Sequence, residues 1–280
     1  MGRRALAGMA VWVLLVWSGV SWAAPAPASE VRLTADQLRF DPATERIEAT
    51  GNVRLLKGGA DLRALKGQGF LEGKTFRLQG KVQGVFPREG LSVDSDELLL
   101  STEGSRQILE ATGNVRLHRG KDQLSAGFLR WTLRGKAYLA RQGVRASFTA
   151  YRLEAEEVGR DGDVLWAKGV RRYEDPSQGI VLSASGVRGR LAGEQVAELE
   201  ATGSLEGTFR GAKGEPVRLR GEKGIYSKER GTVVVSGNAR AIQADRTVTA
   251  DSLVLHLDTR RLEALGNPQL VFTLPKEGKP

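Results

Sequence analysis

The residue types that most often do chemistry are sparse in this sequence. It contains no cysteine, which excludes disulfides, thiolate nucleophiles and cysteine-ligated zinc or iron–sulfur centres. Its two histidines, His118 and His256, are far apart, and neither belongs to an HExxH pattern, so a zinc site is not predicted. The sequence predicts a protein that uses no metal and no cofactor.

Three local patterns resemble functional motifs, but each lacks something that the motif requires. Residues 69–75 end in Gly-Lys-Thr, yet a Walker A loop needs a glycine where Gln68 stands. The carboxylates at 94–97 depart from the EF-hand pattern after Asp96. Nothing in the sequence sets the carboxylates at 154–157 at the separation that a glycosidase needs. Because a Gly-x-Ser-x-Gly elbow is also absent, the protein is predicted not to be an enzyme.

The composition is that of a folded, basic protein. Its 280 residues are 40% hydrophobic and carry 42 basic against 33 acidic side chains, a formal net charge of +9. This length allows one large or two modest domains. The positive charge would attract phosphorylated head groups or anionic membrane surfaces, whereas no stacking motif for nucleic acid is present. The densest basic stretch, residues 130–145, is interpreted as a solvated strand face.

The N-terminus is typical of a secretory signal peptide. Arg3 and Arg4 precede an apolar run from Ala5 to Val20, and small residues follow, which predicts cleavage after Ala23. The alternative is an uncleaved anchor, because the apolar run approaches the length of a membrane span. We therefore expect residues 1–23 to be a signal peptide and residues 24–30 a linker in an exported protein.

Internal repeats are the strongest signal in the sequence. The segment Ile47–Leu55, which contains Ala-Thr-Gly-Asn-Val, recurs as Leu109–Leu117, and a third copy begins at Leu199. Weaker copies surround Gly237 and Gly266, and intervening glycines extend the series with a mean spacing of about 31 residues. The full series is Gly51, Gly80, Gly113, Gly143, Gly169, Gly203, Gly237 and Gly266. A period of this kind predicts an array in which each unit stacks on its neighbours.

Within each repeat the hydrophobic period is two, which predicts β-strands. Val53 and Leu55 alternate with Arg54, and the same alternation recurs in the later copies. Two strands per repeat give roughly sixteen short strands and a nearly all-β fold. The segment Leu191–Ala201 also has good helix formers, so a short helix remains an alternative there. Near Phe128 the alternation changes phase, which requires a β-bulge.

Two recurring half-motifs resemble a known family. Thr34–Asp41 and Thr249–Leu255 share an Ala-Asp-x-Leu pattern, and each is followed by a Gly-Asn segment of the repeat. This pairing is similar to the OstA-like family of periplasmic lipopolysaccharide-transport bridge proteins. The resemblance covers residues 31–272 and is weakest at 118–200. It implies an elongated, open β-jelly roll of stacked antiparallel strands, V-shaped in section, with an apolar trough.

The resemblance also implies a function and partners. Such a protein carries lipopolysaccharide or a related glycolipid through the periplasm without catalysis, and pairs by its strand edges with jelly-roll components at the inner and outer membranes. The first strand, Val31–Phe40, and the last, Leu262–Phe272, are the expected docking edges, and self-association is a further expectation. A structural β-solenoid of the cell envelope that binds polysaccharide or assembles on itself remains the alternative.

The residues expected to line the trough are the inward-facing apolar members of the strands. They are Leu38, Phe40, Val53, Leu55, Leu98, Leu100, Val115, Leu117, Leu253 and Leu255. We expect two groups of OstA-like repeats, at 31–145 and 146–274, that continue each other as a repeat array, and a short tail at 275–280.

Overall fold

The computed structural model describes residues 31–272, except for 71–74, 105, 134, 150, 177–178, 193–194, 211–215, 245 and 260. The predicted signal peptide, linker and C-terminal tail lie outside the described residues. Within the described part of the chain, no helix is long and apolar enough to cross a membrane. Every regular element there is a β-strand, so the predicted all-β, open jelly-roll fold is confirmed.

The chain forms two compact units, which meet in sequence between Gly162 and Asp163. The N-terminal unit contains β1 (Val31–Thr34), β2 (Gln37–Asp41), β3 (Arg46–Lys57), β4 (Ala60–Phe70), β5 (Thr75–Phe86), β6 (Leu91–Glu103), β7 (Arg106–Arg119), β8 (Asp122–Leu133), β9 (Tyr138–Ser147) and β10 (Arg152–Asp161). The C-terminal unit contains β11 (Val164–Asp175), β12 (Ile180–Ala192), β13 (Gln195–Phe209), β14 (Val217–Ser227), β15 (Thr232–Gln243), β16 (Arg246–His256), β17 (Leu262–Leu265) and β18 (Gln269–Phe272). The predicted division of the repeats after residue 145 falls inside β9 and stays a prediction.

Each unit is an antiparallel meander in which successive long strands pair. In the N-terminal unit β3 pairs with both β1 and β2, and the ladder then runs in chain order from β3 to β10. In the C-terminal unit the ladder runs from β11 to β16, which pairs with both β17 and β18. Leu191, Ala192 and residues 195–201 are part of this ladder, in β12 and β13, so the alternative of a short helix is wrong there.

Most of the periodic glycines mark β-bulges. All eight glycines of the series have φ between 57° and 81°, a backbone conformation that costs glycine little. Gly51 and Asn52 in β3 show the pattern: both are left-handed, and the register of β3 against β4 shifts between Thr50 and Val53. Corresponding shifts occur in each following pair from β4 to β10, so the bulges form a column across the sheet.

The predicted phase change near Phe128 belongs to this column. The register of β8 against β9 shifts between Ser125 and Phe128. Before the shift the buried side chains are Leu124 and Ala126, and after it they are Leu129 and Trp131. The bulge is confirmed, and it keeps apolar side chains on one face along the whole strand.

The bulge column divides each sheet into two halves that face each other. In the N-terminal unit we call them the β1 half and the β2 half, after the short strand that each contains, and in the C-terminal unit the β17 half and the β18 half. Phe86, from the β1 half, meets Trp131, from the β2 half, edge to face with ring centroids 6.1 Å apart. In the C-terminal unit one buried core likewise contains both Leu253, from the β17 half, and Leu219, from the β18 half. The interior of each unit is therefore the space between its two halves.

Candidate functional site

The interior of the N-terminal unit is lined by two unbroken apolar rows, one on each half. Residues in a row are direct partners on neighbouring strands. The row of the β1 half is Leu33, Leu55, Leu62, Gly84, Val93, Leu117, Leu124, Ala146 and Leu153. The row of the β2 half is Leu38, Ala49, Gly67, Leu78, Leu98, Ala111, Leu129, Ala140 and Val158.

The C-terminal unit repeats this arrangement. The row of its β17 half is Ala167, Val187, Ala201, Gly224, Val235, Leu253 and Ala264. The row of its β18 half is Tyr173, Leu182, Gly207, Leu219, Ala241, Val248 and Leu270. Neither row contains a charged residue, so each unit offers a continuous apolar path from strand to strand.

The ten residues predicted to line a trough fall into two groups. Seven are buried, with exposures of 0–6%: Val53, Leu55, Leu98, Val115, Leu117, Leu253 and Leu255. Leu100 is half-buried, whereas Leu38 and Phe40, on the edge strand β2, are 51% and 47% exposed. The structure thus places eight of these residues on the two halves of the N-terminal unit, and Leu253 and Leu255 in the C-terminal unit.

At the other end of the chain, two further interior residues escaped the sequence analysis. Leu270 and Phe272 lie opposite Val248 and Arg246 of β16, and they are 58% and 55% exposed. Val271 between them is also apolar, so alternation alone could not separate an inward from an outward face. At both chain ends, then, the interior finishes in half-exposed apolar side chains.

The outer faces carry ladders of opposite charge. Arg54 donates two hydrogen bonds to Asp61, at 2.9 and 2.8 Å, and this contact lowers the pKa of the Asp61 carboxyl. In the basic stretch, Arg130 lies 3.0 Å from Glu103, and Arg141 lies opposite Glu157 in the register of β9 and β10, with its guanidinium 4.3 Å from the centroid of the Phe128 ring. These contacts support the interpretation of the stretch as a solvated strand face.

Within that stretch Tyr138 behaves differently from the arginines. Its hydroxyl is buried, and burial raises the pKa of the phenol well above its ordinary value.

Three of the acidic and histidine residues considered as functional groups have structural partners. Asp96 accepts a hydrogen bond from Asn114 at 2.8 Å, and Glu97 accepts one from Gln79 at 2.9 Å. His256 lies 3.2 Å from Glu263 on the neighbouring strand. Among the described residues, no group of three or more histidine and carboxylate side chains is placed to hold a metal ion.

The two recurring half-motifs meet at the bulges. The aspartate of the Ala-Asp-x-Leu half lies between β1 and β2 in one case and within β16 in the other, and its carboxylate accepts a hydrogen bond from the asparagine of the Gly-Asn half. Asn52 donates to Asp36 at 3.0 Å, and Asn267 donates to Asp251 at 3.1 Å. The spacing of the two halves was visible in the sequence, but which side chains would touch was not.

Comparison with known proteins identifies the family. The family model described as "LptA/(LptD N-terminal domain) LPS transport protein" matches residues 92–261. The chain belongs to this family. Its members are transport proteins rather than enzymes.

Among solved structures, the LptA-homologous periplasmic component LptH of the lipopolysaccharide transport device from Pseudomonas aeruginosa is similar at 13% identity, with a TM-score of 0.29. The match covers 55% of this chain and 95% of LptH. No curated protein matched the sequence.

Proposed function

We propose that this protein is a periplasmic carrier that holds the acyl chains of lipopolysaccharide, or of a related glycolipid, between the two halves of its sheets and passes them toward the outer membrane without catalysis. The observation that carries the proposal is the set of apolar rows, which cross each unit strand by strand and end in half-exposed side chains at the chain's first and last strands. Family membership supports lipopolysaccharide as the cargo.

The energetics of acyl chains fit such an interior. Burying one methylene is worth about 0.8 kcal/mol, so a twelve-carbon chain gains roughly 9 kcal/mol before other terms are counted. Similar rows on successive strands offer similar sites, which lets a chain move stepwise. The charged outer faces keep the protein hydrated while the sugar and phosphate groups stay in water.

The lining residues proposed at the centre are the seven buried ones, and those proposed at the entrance are Leu38 and Phe40. Because the central residues already pack against the opposite half, an acyl chain must replace those contacts. The two halves must therefore move apart as the lipid enters.

The edges are the proposed docking surfaces for other jelly-roll components. β1 and β2 lie at one edge of the N-terminal unit, and β17 and β18 lie at an edge of the C-terminal unit. An edge strand offers backbone N–H and C=O groups that can pair with a strand of another chain. Pro268, which separates β17 from β18, limits pairing at its own position and so restricts open-ended self-association.

A structural role is the second candidate, and the buried centre of the interior favours it. Leu62, Leu78 and Leu98 are 0% exposed, as expected for a protein whose interior is filled by its own side chains. A protein of that kind would bind polysaccharide or assemble on itself, and it would take up no lipid.

Phe40→Asp tests the carrier proposal at the entrance of the interior. Losing an apolar contact of this size should weaken binding of a fluorescent acyl-chain lipid about 10- to 100-fold, since a buried phenylalanine is worth about 1.5–3 kcal/mol. Binding is measured by titration, and native mass spectrometry of the protein from its own periplasm, with lipid extraction, identifies the natural cargo.

Val85→Asp is the matched control. Val85 is 48% exposed, like Phe40, but it alternates with the inward-facing Phe86 and lies on the outer face. The Val85→Asp substitution should leave lipid binding unchanged. A folded wild-type protein that is isolated empty and takes up no added lipid would instead support the structural role.

A further inference from the structure

The bulge column is held by side chains at only some of its positions. Where an acid faces a Gly-Asn pair across the column, the asparagine amide donates a hydrogen bond to the acid, and the carboxylate packs over the glycine. We call these acid–asparagine pairs. They are Asp36–Asn52 and Asp96–Asn114 in the N-terminal unit, and Glu222–Asn238 and Asp251–Asn267 in the C-terminal unit.

The remaining bulges lack such a pair among the described residues. At Gly80 the neighbouring strand offers the apolar Leu65. At Gly203 it offers Ser185, whose hydroxyl would lie 2.8 Å from a Cβ on the glycine, and Ser204 occupies the left-handed position that asparagine has elsewhere. Bulges with an acid–asparagine pair and bulges without one therefore occur in both units.

The geometry makes the column the place where each sheet bends. Two successive left-handed residues redirect a strand, so the halves on either side of the column face each other rather than lying in one plane. Away from the column, the halves meet through apolar side chains such as Phe86 and Trp131, which make non-directional contacts. The polar contacts at the column are directional, and they fix the angle of the bend.

We propose that the bulge column is a hinge and that the acid–asparagine pairs set its stiffness. The paired bulges hold the two halves at a fixed angle, and the unpaired bulges let them separate. The inference concerns the shape of the interior and stands whether or not the cargo is a lipid. If the proposed function also holds, the unpaired bulges are where acyl chains enter most readily.

The hinge is tested in the N-terminal unit by breaking one pair. Because the chain has no cysteine, the substitutions Gln107→Cys and Gln123→Cys place two spin labels, one on each half, at exposed positions. Asp96→Ala should broaden the distance distribution between the labels and raise the population of open conformers on the order of tenfold, as expected for losing one hydrogen bond to a charged group. Double electron–electron resonance measures the distribution without any lipid present.

Asp94→Ala is the control for this variant. Asp94 lies on the same strand, opposite Gln83 and Arg116, and is not a member of an acid–asparagine pair. It should leave the distribution unchanged. Equal broadening in both variants, or no broadening in Asp96→Ala, would overturn the hinge.

A second variant adds an acid–asparagine pair instead of removing one, and its result does not depend on whether Asp96→Ala folds. Ser185→Asp combined with Ser204→Asn builds an acid–asparagine pair at Gly203, with spin labels introduced by Val181→Cys and Ala192→Cys at the two ends of β12. If the column is a hinge, the distribution of distances between the two labels should become narrower. A general loss of packing would broaden it. An unchanged or broader distribution in the folded protein would contradict the proposal. Lipid titration of the same variant tests the carrier proposal separately from the hinge proposal. If the variant binds no lipid, the distance distribution still reports on the hinge.

Discussion

Trp131→Ala is expected to lower the unfolding free energy of the N-terminal unit by about 3–5 kcal/mol, the usual cost of truncating a buried aromatic residue. Trp131 is 4% exposed, and its ring meets Phe86 from the opposite half. The substitution therefore leaves a cavity at a point where the two halves touch. The closed interior cannot fill that space without moving one half toward the other.

The measurement is chemical denaturation of a chain beginning at residue 24, followed by circular dichroism. Trp166→Ala is the matched control, because Trp166 is only half-buried and packs beside the Lys168 ammonium, whose nitrogen lies 5.2 Å from the ring centroid. It should cost under about 1 kcal/mol. A loss for Trp131→Ala as small as that expected for Trp166→Ala would show that the halves of the N-terminal unit are not packed together.

Much of the fold could be predicted from the sequence, because the repeated glycines mark positions with a particular backbone conformation. The glycine series predicted positions that need unusual backbone freedom, and all eight glycines are left-handed. Alternation predicted strands even at Leu191–Ala201, where helix propensity was good but the ladder with neighbouring strands decided the outcome. Along most of this chain, the alternation of apolar residues and the pairing between strands favour the same structure. The period of the glycines and the phase of the alternation were therefore informative about the fold.

Less of the site could be predicted, since burial depends on what lies across the interior. Leu38 and Leu98 belong to the same row and share the same alternation, yet one is 51% exposed and the other 0%. The difference comes from their distance to the sheet edge and from the opposite half. The sequence shows neither the fold-over of the halves nor the Phe86–Trp131 contact, because both join residues far apart in the chain.

Gly113→Ala should also destabilise the N-terminal unit by about 3–5 kcal/mol, for two reasons that can be separated. An alanine there must adopt a left-handed conformation, which costs about 1–2 kcal/mol, and its Cβ would collide with the Asp96 carboxylate, breaking a charge-assisted hydrogen bond worth about 1.5–3 kcal/mol. Gly120→Ala isolates the first cost, because Gly120 has φ 58° and nothing within 4 Å of an added Cβ. Unfolding is followed by the tryptophan fluorescence of chains that carry Trp166→Ala, so that the signal comes from Trp131 in the same unit.

The double variant Asp96→Ala, Gly113→Ala decides whether the second cost is real. Removing the carboxylate relieves the collision, so adding Gly113→Ala to Asp96→Ala should cost no more than Gly120→Ala does in the wild-type chain. If Gly113→Ala costs the same with and without Asp96, the side chains at the bulge do not touch as described. The acid would then have no part in fixing the bend, and the glycine period would reflect backbone conformation alone.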